Sequence, residues 1–387
     1  MPGSKTTYLG LGLTAALGIV GLVACGSDSS SDDTGSAGSS AAGAAGSAGS
    51  AGSGTGCADC KSPPDKPASG AQGDGSGQVF AIRSIDLGGN WEVEPDHWKS
   101  LGYDLDGRKT VVNSTDHCKL TDGAAAYVKV DGNNGIDNSF GQNILPQLPS
   151  DANASISDSI NKGDVTVLIQ IDKLGAGADY VDLPAAIYAA GGLKDANGAA
   201  LTPKWDGTDE WPVFCELLEQ CLESGTPAPP ANKSKVLFPS SYVNAGTWVS
   251  GSKGSGTIAV ALAVAGYSLD LTVHSAVLSA KLGSGNPPAS GSDGVIAGIL
   301  VTDEVLDSLG KLAGKLNSSF CDGDTLDNFK AQIVAASDIL SDGSQDPAKT
   351  CNAITVGFGF TMQSAKLGKA LDKAPAAEDP CADAGAR

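Results

Sequence analysis

Apolar residues alternate with polar or small ones in several runs of this chain, which is the pattern of strands that bury one face. The clearest run in the first half covers 164–172, where Val165, Val167, Ile169 and Ile171 share a face. In the second half, two long alternating runs flank a short turn and predict a β-hairpin. The predicted strands cover 79–86, 124–130, 164–172, 181–190, 257–265, 268–282, 293–301 and 354–362.

Helices are predicted at 153–161, 302–316 and 325–340, the last two from apolar positions spaced three and four residues apart. These two helices lie between the last two predicted strands. The sequence therefore predicts a mainly β, antiparallel, β-sandwich-like fold with two helices inserted near the C-terminus. Pro184 lacks the N–H that a strand interior uses, so its strand is expected at an edge or with a bulge.

Composition divides the chain into segments. Residues 26–56 are almost entirely Gly, Ser and Ala, and they cannot bury enough apolar surface to fold. We expect a disordered tether over 25–77, preceded by a signal peptide at 1–24. A Pro-rich stretch near 225–230 separates two predicted β-rich regions. Whether the two regions form one domain or two stays open. The regions are 78–225 with Asp/Asn loops, 232–372 with the two helices, and a tail at 373–387.

The apolar segment 9–23 is shorter than the roughly 20 residues that cross a bilayer as a helix, and it ends at Leu22-Val23-Ala24-Cys25. A short apolar core before a small-residue cleavage site is typical of a signal peptide. The four residues resemble a bacterial lipobox, which implies that Cys25 is lipidated and anchors the protein to a membrane. We therefore expect a cell-envelope location, at the outer membrane or cell surface. A plain secreted protein and an uncleaved anchor are the alternatives.

The cysteine count agrees with export. Once Cys25 is set aside as lipidated, an even set remains, which predicts disulfides in an exported chain. Closeness in sequence favours Cys215–Cys221 and, around a helix, Cys321–Cys351. The disulfide candidates are Cys57, Cys60, Cys118, Cys215, Cys221, Cys321, Cys351 and Cys381.

Cys57-Ala58-Asp59-Cys60 has the CxxC spacing of redox motifs. A catalytic redox pair would stand at the start of a helix. Here the pair lies between a Gly/Ser tract and a Pro-rich stretch, so we interpret it as structural.

Charge excludes one class of partner. The chain carries a net charge of −19, which disfavours binding to nucleic acid. Two clusters of Asp, Asn and Gly offer the oxygen ligands that Ca²⁺ takes. The candidate calcium ligands are Asp104, Asp106, Asp131, Asn133 and Asp137. The alternative is that these residues only form turns, because Asp, Asn and Gly favour turns for backbone reasons.

No catalytic residue is indicated by the sequence. A G-x-S-x-G elbow and the Lys of a P-loop are missing from it, and the three histidines are dispersed. Five aromatic residues in loop-like surroundings fit either stacking on sugar rings or plugging of loops onto the sheet. They are Trp91, Trp98, Tyr103, Trp205 and Trp211.

The stretches YDLDG, DGNNGIDNSFG and CNAITVGFGF are similar to those of uncharacterised exported lipoproteins of myxobacterial type. That resemblance implies a class and no site residues. We expect a non-enzymatic binding or envelope-structural module, with a glycan or an envelope protein as partner. An extracytoplasmic hydrolase and a carrier of an apolar ligand are the alternatives.

Replacing the predicted lipidated residue, Cys25→Ser, should leave an unprocessed precursor, because the thiol is the acceptor of the lipid. Mass spectrometry and membrane fractionation of the expressed chain measure this. Normal processing and membrane retention of the variant would refute the lipobox assignment, and Ser27→Ala serves as the neighbouring control.

Overall fold

The computed structural model describes residues 57–88, 92–147, 152–195, 197–251, 256–264, 267–308 and 324–373. The predicted signal peptide, the tether up to residue 56, the end of the helix predicted at 302–316 and the tail beyond 373 lie outside these residues. The rest of the predicted tether, 57–77, is described and hydrogen-bonds to the folded body, because the carbonyl of Lys61 accepts from Asp104 and the carbonyl of Ala71 accepts from Val181. The prediction of disorder is therefore wrong for 57–77. The described chain is mainly β, as predicted. None of its helices has both the length and the hydropathy needed to cross a bilayer.

The strands belong to one ten-stranded sheet. They are β1 Gln78–Asp86, β2 Thr166–Ile171, β3 Tyr180–Ala190, β4 Glu210–Val213, β5 Val236–Asn244, β6 Thr247–Val249, β7 Gly256–Val264, β8 Tyr267–Leu282, β9 Ser290–Val301 and β10 Ala353–Ala370. The α-helices are α1 Ala152–Lys162, α2 at 302–308 and α3 Asp324–Ala335.

The sheet closes on itself. Antiparallel pairing runs from β1 through β2, β3, β5, β6, β8, β9 and β10, and β10 pairs with β1 again. Two strands lie off this ring, since β7 pairs with β8, and β4 pairs in parallel with the end of β10. Strands from both predicted β-rich regions therefore form one sheet.

The inner face of the closed sheet holds the main hydrophobic core. Every strand of the ring contributes to this cluster, and large side chains fill it, among them Phe80, Ile169, Phe238, Trp248 and Phe358. Opposite parts of the sheet thus pack face to face, as in the predicted sandwich-like arrangement. Helix α1 packs into the same core through Ile156 and Ile160, which are buried.

The outer face carries two smaller clusters. One covers β2 and β3 with residues around Trp211. The other covers β8 and β9 with Tyr103 and Leu105, which belong to the first Asp-rich loop, 103–110. The loops that hold the polar clusters are therefore fixed to the outside of the sheet by their own apolar residues.

Disulfides close three pairs of cysteines in the described chain: Cys57–Cys60, Cys118–Cys351 and Cys215–Cys221. The prediction of Cys215–Cys221 is confirmed. The prediction of Cys321–Cys351 is wrong, because Cys351 bonds to Cys118 across a sequence separation of 233. Backbone hydrogen bonds between Lys119 and the 349–351 segment place these two cysteines side by side. Cys321 and Cys381 lie outside the described residues.

Most predicted elements form, with two corrections. Residues 124–130 are turns and not a strand, because Val128 and Val130 donate to carbonyls three residues back. Helix α3 ends at Ala335, five residues before the predicted end, where the chain turns to place Asp338 against β10. The bulge expected at Pro184 is confirmed, since the β3–β5 register shifts on both sides of Leu183.

Removing a buried inner-face side chain should destabilise the fold strongly. Ile169→Ala should lower the free energy of unfolding by about 2–5 kcal/mol, because it leaves a cavity in the core. Leu237→Ala on β5 is the matched control, since Leu237 is 54% exposed and should cost less than about 0.5 kcal/mol. Urea unfolding followed by tryptophan fluorescence measures both, and equal losses would contradict the assignment of the core.

Candidate functional site

The two Asp-rich loops lie side by side. The amide of Asp137 donates to the carbonyl of Tyr103 at 3.1 Å, and the amide of Asp131 donates to the carbonyl of Thr110 at 3.1 Å. The segments 103–110 and 131–137 therefore run antiparallel. This arrangement brings together residues that are more than twenty positions apart in sequence.

Side-chain hydrogen bonds fasten this pair of loops to the sheet. The Tyr103 hydroxyl is 2.5 Å from the Ser279 hydroxyl of β8. The buried amide of Asn138 bonds to Gly357 of β10 on both sides, accepting from its N–H and donating to its carbonyl. The two loops are thus positioned by a rigid element, which is the condition for a precise site.

Three carboxylates converge at this point. Asp104, Asp106 and Asp137 each offer an oxygen atom, and these atoms lie within 4.8 Å of one another. Asp104 and Asp137 are buried, and Asp106 is partly buried. Backbone amides orient them, because Leu105 donates to Asp137 at 2.6 Å and Gly107 donates to Asp104 at 2.6 Å.

Asp131 joins the group and Asn133 does not. The carboxyl of Asp131 accepts from the amide of Thr110 and lies close enough to Asp137 for each carboxyl to affect the pKa of the other. Asn133 is exposed in a short helical turn, and its described contact is a backbone one, to the amide of Ile136. Three of the five candidate ligands therefore converge, and Asp131 lies beside them.

Two members of the site were not predicted from the sequence. Asp338 is buried and accepts from both the amide and the hydroxyl of Thr355 on β10. Gln345 donates to the carboxylate of Asp106 at 2.9 Å and to the carbonyl of Asp338 at 3.1 Å. Both residues come from a part of the chain more than 200 positions away, so no local motif marks them.

Burial and crowding shift the acid–base behaviour of the cluster. Burial, together with the charges of Asp106 and Asp338, raises the pKa of Asp131 to about 8. Burial, followed by the charges of Asp106 and Asp131, raises the pKa of Asp137 well above its ordinary value. Burial raises the pKa of Asp338 to about 7, although its bonds from Thr355 favour the ionised form.

No Lys or Arg forms an ion pair with Asp106, Asp131, Asp137 or Asp338 among the described residues. Crowded carboxylates without a basic neighbour must either share protons or bind a cation. The donor set is all oxygen, which suits a hard cation such as Ca²⁺. Asp104, Asp106 and Asp137, with Asp131 beside them, are the residues that fit it.

Comparison of the chain with protein-family models, with curated proteins and with solved structures finds no match.

Other candidate chemistry fits less well. Cys215, Glu216 and Cys221 also lie close together, but the two sulfurs form a disulfide and provide no thiolate ligands. His97 pairs with Asp86 and His274 with Glu304, and no histidine ring in the described chain hydrogen-bonds a serine hydroxyl. Trp98, Tyr103 and Trp211 are buried, so these three pack the loops and do not present rings to a sugar. Trp205 is partly buried against Trp211, and Trp91 lies outside the described residues.

The stability of the metal-free protein should fall as the pH rises from about 4 to 8. The folded-state pKa of Asp131 lies near 8, above the ordinary value of 3.8, so the folded chain holds the extra proton in this window. Ionisation then opposes folding, by at least about 1.4 kcal/mol for each pKa unit that is expressed. Urea unfolding in EDTA across this range measures it.

Asp131→Asn removes this titration while keeping the side-chain shape, so its stability should depend less on pH than that of the parent. A parent protein whose stability in EDTA is constant or increases over this window would contradict the burial of these carboxyls.

Proposed function

We propose that this chain is an extracytoplasmic lipoprotein, held to a membrane through lipidated Cys25, whose folded body is a calcium-stabilised, non-enzymatic binding or envelope-structural module. The convergence of the carboxylates of Asp104, Asp106 and Asp137 carries the calcium part of the proposal. The lipobox Leu22–Cys25 carries the location, at the outer membrane or cell surface. The three disulfides are consistent with an oxidising compartment.

A bound cation would neutralise the negative charge of the clustered carboxylates. Burial first, and then the charges of the neighbouring carboxylates, raise the pKa values of Asp131, Asp137 and Asp338, so ionisation of this group is unfavourable. Ca²⁺ takes six to eight oxygen ligands, and extracellular modules typically bind it with Kd values of roughly 10⁻⁴–10⁻³ M. Its role here would be to join the two Asp-rich loops and so to order the outer surface of the sheet.

A binding or structural role accounts for the fold better than the two alternatives. A carrier needs an internal cavity, and large side chains fill the inner face of the sheet. A hydrolase needs a cleft beside its acidic residues. A groove of about 590 Å³ in the described chain lies between residues 62–66 and β5, and its lining contains none of the clustered aspartates. A glycan or an envelope protein is the partner that we propose.

Calcium should stabilise the protein at neutral pH. At about 100-fold excess over Kd, a ligand that binds only the folded state adds about 2.7 kcal/mol, or roughly 5–10 °C in Tm for a domain of this size. Differential scanning fluorimetry with CaCl₂, compared with EDTA at matched ionic strength, measures the shift. The shift should shrink as the pH falls toward 5, since protons compete for the same carboxylates.

Asp137→Asn should abolish the calcium-dependent shift, because Asp137 lies at the centre of the cluster and its amide replacement is a weaker ligand. Asp122→Asn is the matched control, since it makes the same charge change at an exposed position. A parent protein without any shift would overturn the calcium part of the proposal, and an equal shift in the Asp137 variant would move the site elsewhere.

A further inference from the structure

The Cys57–Cys60 disulfide lies against the two Asp-rich loops. The amide of Cys57 donates to the carbonyl of Gly107 at 3.2 Å. The carbonyl of Lys61 accepts from the amide of Asp104 at 2.8 Å. This short segment therefore holds the first Asp-rich loop at both of its ends.

The same segment also holds the second loop. The amide of Lys61 donates to the carbonyl of Asn134 at 2.8 Å. Gly135 has a φ of +69°, and a Cβ atom there would lie 2.2 Å from the sulfur of Cys60, so the disulfide packs directly on its backbone. The residues 57–61, which we call the clasp, thus bridge the two loops that carry the aspartates.

The clasp can open without disturbing the core. Cys57 and Cys60 are partly exposed, whereas Cys118 and Cys351 are buried under the 338–345 segment. Neither Cys57 nor Cys60 belongs to a hydrophobic cluster of the sheet. A thiolate from solution can therefore reach this disulfide before it reaches Cys118–Cys351.

We propose that the clasp is redox-sensitive, and that reduction of its Cys57–Cys60 disulfide weakens cation binding by the two Asp-rich loops. A small dithiol attacks the disulfide, the Cys57–Cys60 S–S bond breaks, and both cysteines take up an electron and a proton. The dithiol supplies both electrons and both protons as it closes into its own disulfide. The effect on cation affinity rests on the proposed calcium function. The ordering of the two loops by the clasp does not rest on it.

Calcium affinity of the full-length protein tests the proposal. Isothermal titration calorimetry compares the oxidised protein, the protein treated with dithiothreitol, and the double variant Cys57→Ser with Cys60→Ser. We expect about a tenfold or larger rise in Kd in the last two, the range found when groups that orient metal ligands are removed. Mass spectrometry of alkylated thiols should find Cys57 and Cys60 reduced before Cys118 and Cys351.

Hydrogen exchange supplies a readout that does not need calcium. Amides in 104–110 and 131–137 should exchange faster in the Cys57/Cys60 variant, and those of β2 should not. The control is Cys215→Ser with Cys221→Ser, which removes a similarly short disulfide away from these loops and should leave both readouts unchanged.

The outcomes separate the two proposals. If the oxidised protein and the Cys57/Cys60 variant bind calcium with the same Kd, the clasp proposal is wrong and the calcium proposal is supported. Absence of calcium binding in the oxidised protein overturns the calcium site, and hydrogen exchange then decides the clasp. Unchanged exchange in both loops overturns the clasp in either case.

Discussion

β1 pairs with β10 in a register that runs from Val79 opposite Ala365 to Asp86 opposite Gly359, and this seam closes the sheet. The seam encloses the inner face in a single core, since β1 and β10 would otherwise each leave an open edge. The outer face then becomes a fixed platform. Tyr103, which bonds to Ser279 of β8, and Asn138, which bonds to Gly357 of β10, attach the aspartate loops to it, so the geometry of the site depends on the closure.

The aspartate cluster opposes folding unless a proton or a cation compensates it. The packing of the surrounding loops holds Asp137 and Asp338 in buried positions. Their burial and the like charges around them disfavour the ionised forms of both carboxyls. A divalent cation bound to buried carboxylates at neutral pH would therefore stabilise the fold more than the same cation bound to carboxylates at the surface. In the two proposals made above, pH, calcium and the redox state of Cys57–Cys60 would all act on the same two loops.

Local patterns were sufficient for the elements whose periodicity is strong. The alternation in 164–172 and in the 257–282 hairpin predicted β2, β7 and β8, and the Asp-rich motifs contain the three carboxylates that converge in the structure. Features that depend on contacts across the chain were missed. Asp338, Gln345 and the Cys118–Cys351 bond come from distant segments, and β5 and β6 lack a clear alternation. The run 124–130 has apolar residues of strand type, yet turn hydrogen bonds within it prevail.

The seam between β1 and β10 also has a consequence for synthesis. The two strands are the first and last of the described fold, and β10 touches β1, β4 and β9 along its 18 residues. A growing chain therefore cannot complete its core until nearly all of it has been made. A polypeptide that must pass through a narrow translocation channel benefits from this order, because its earlier strands stay threadable until the last one arrives.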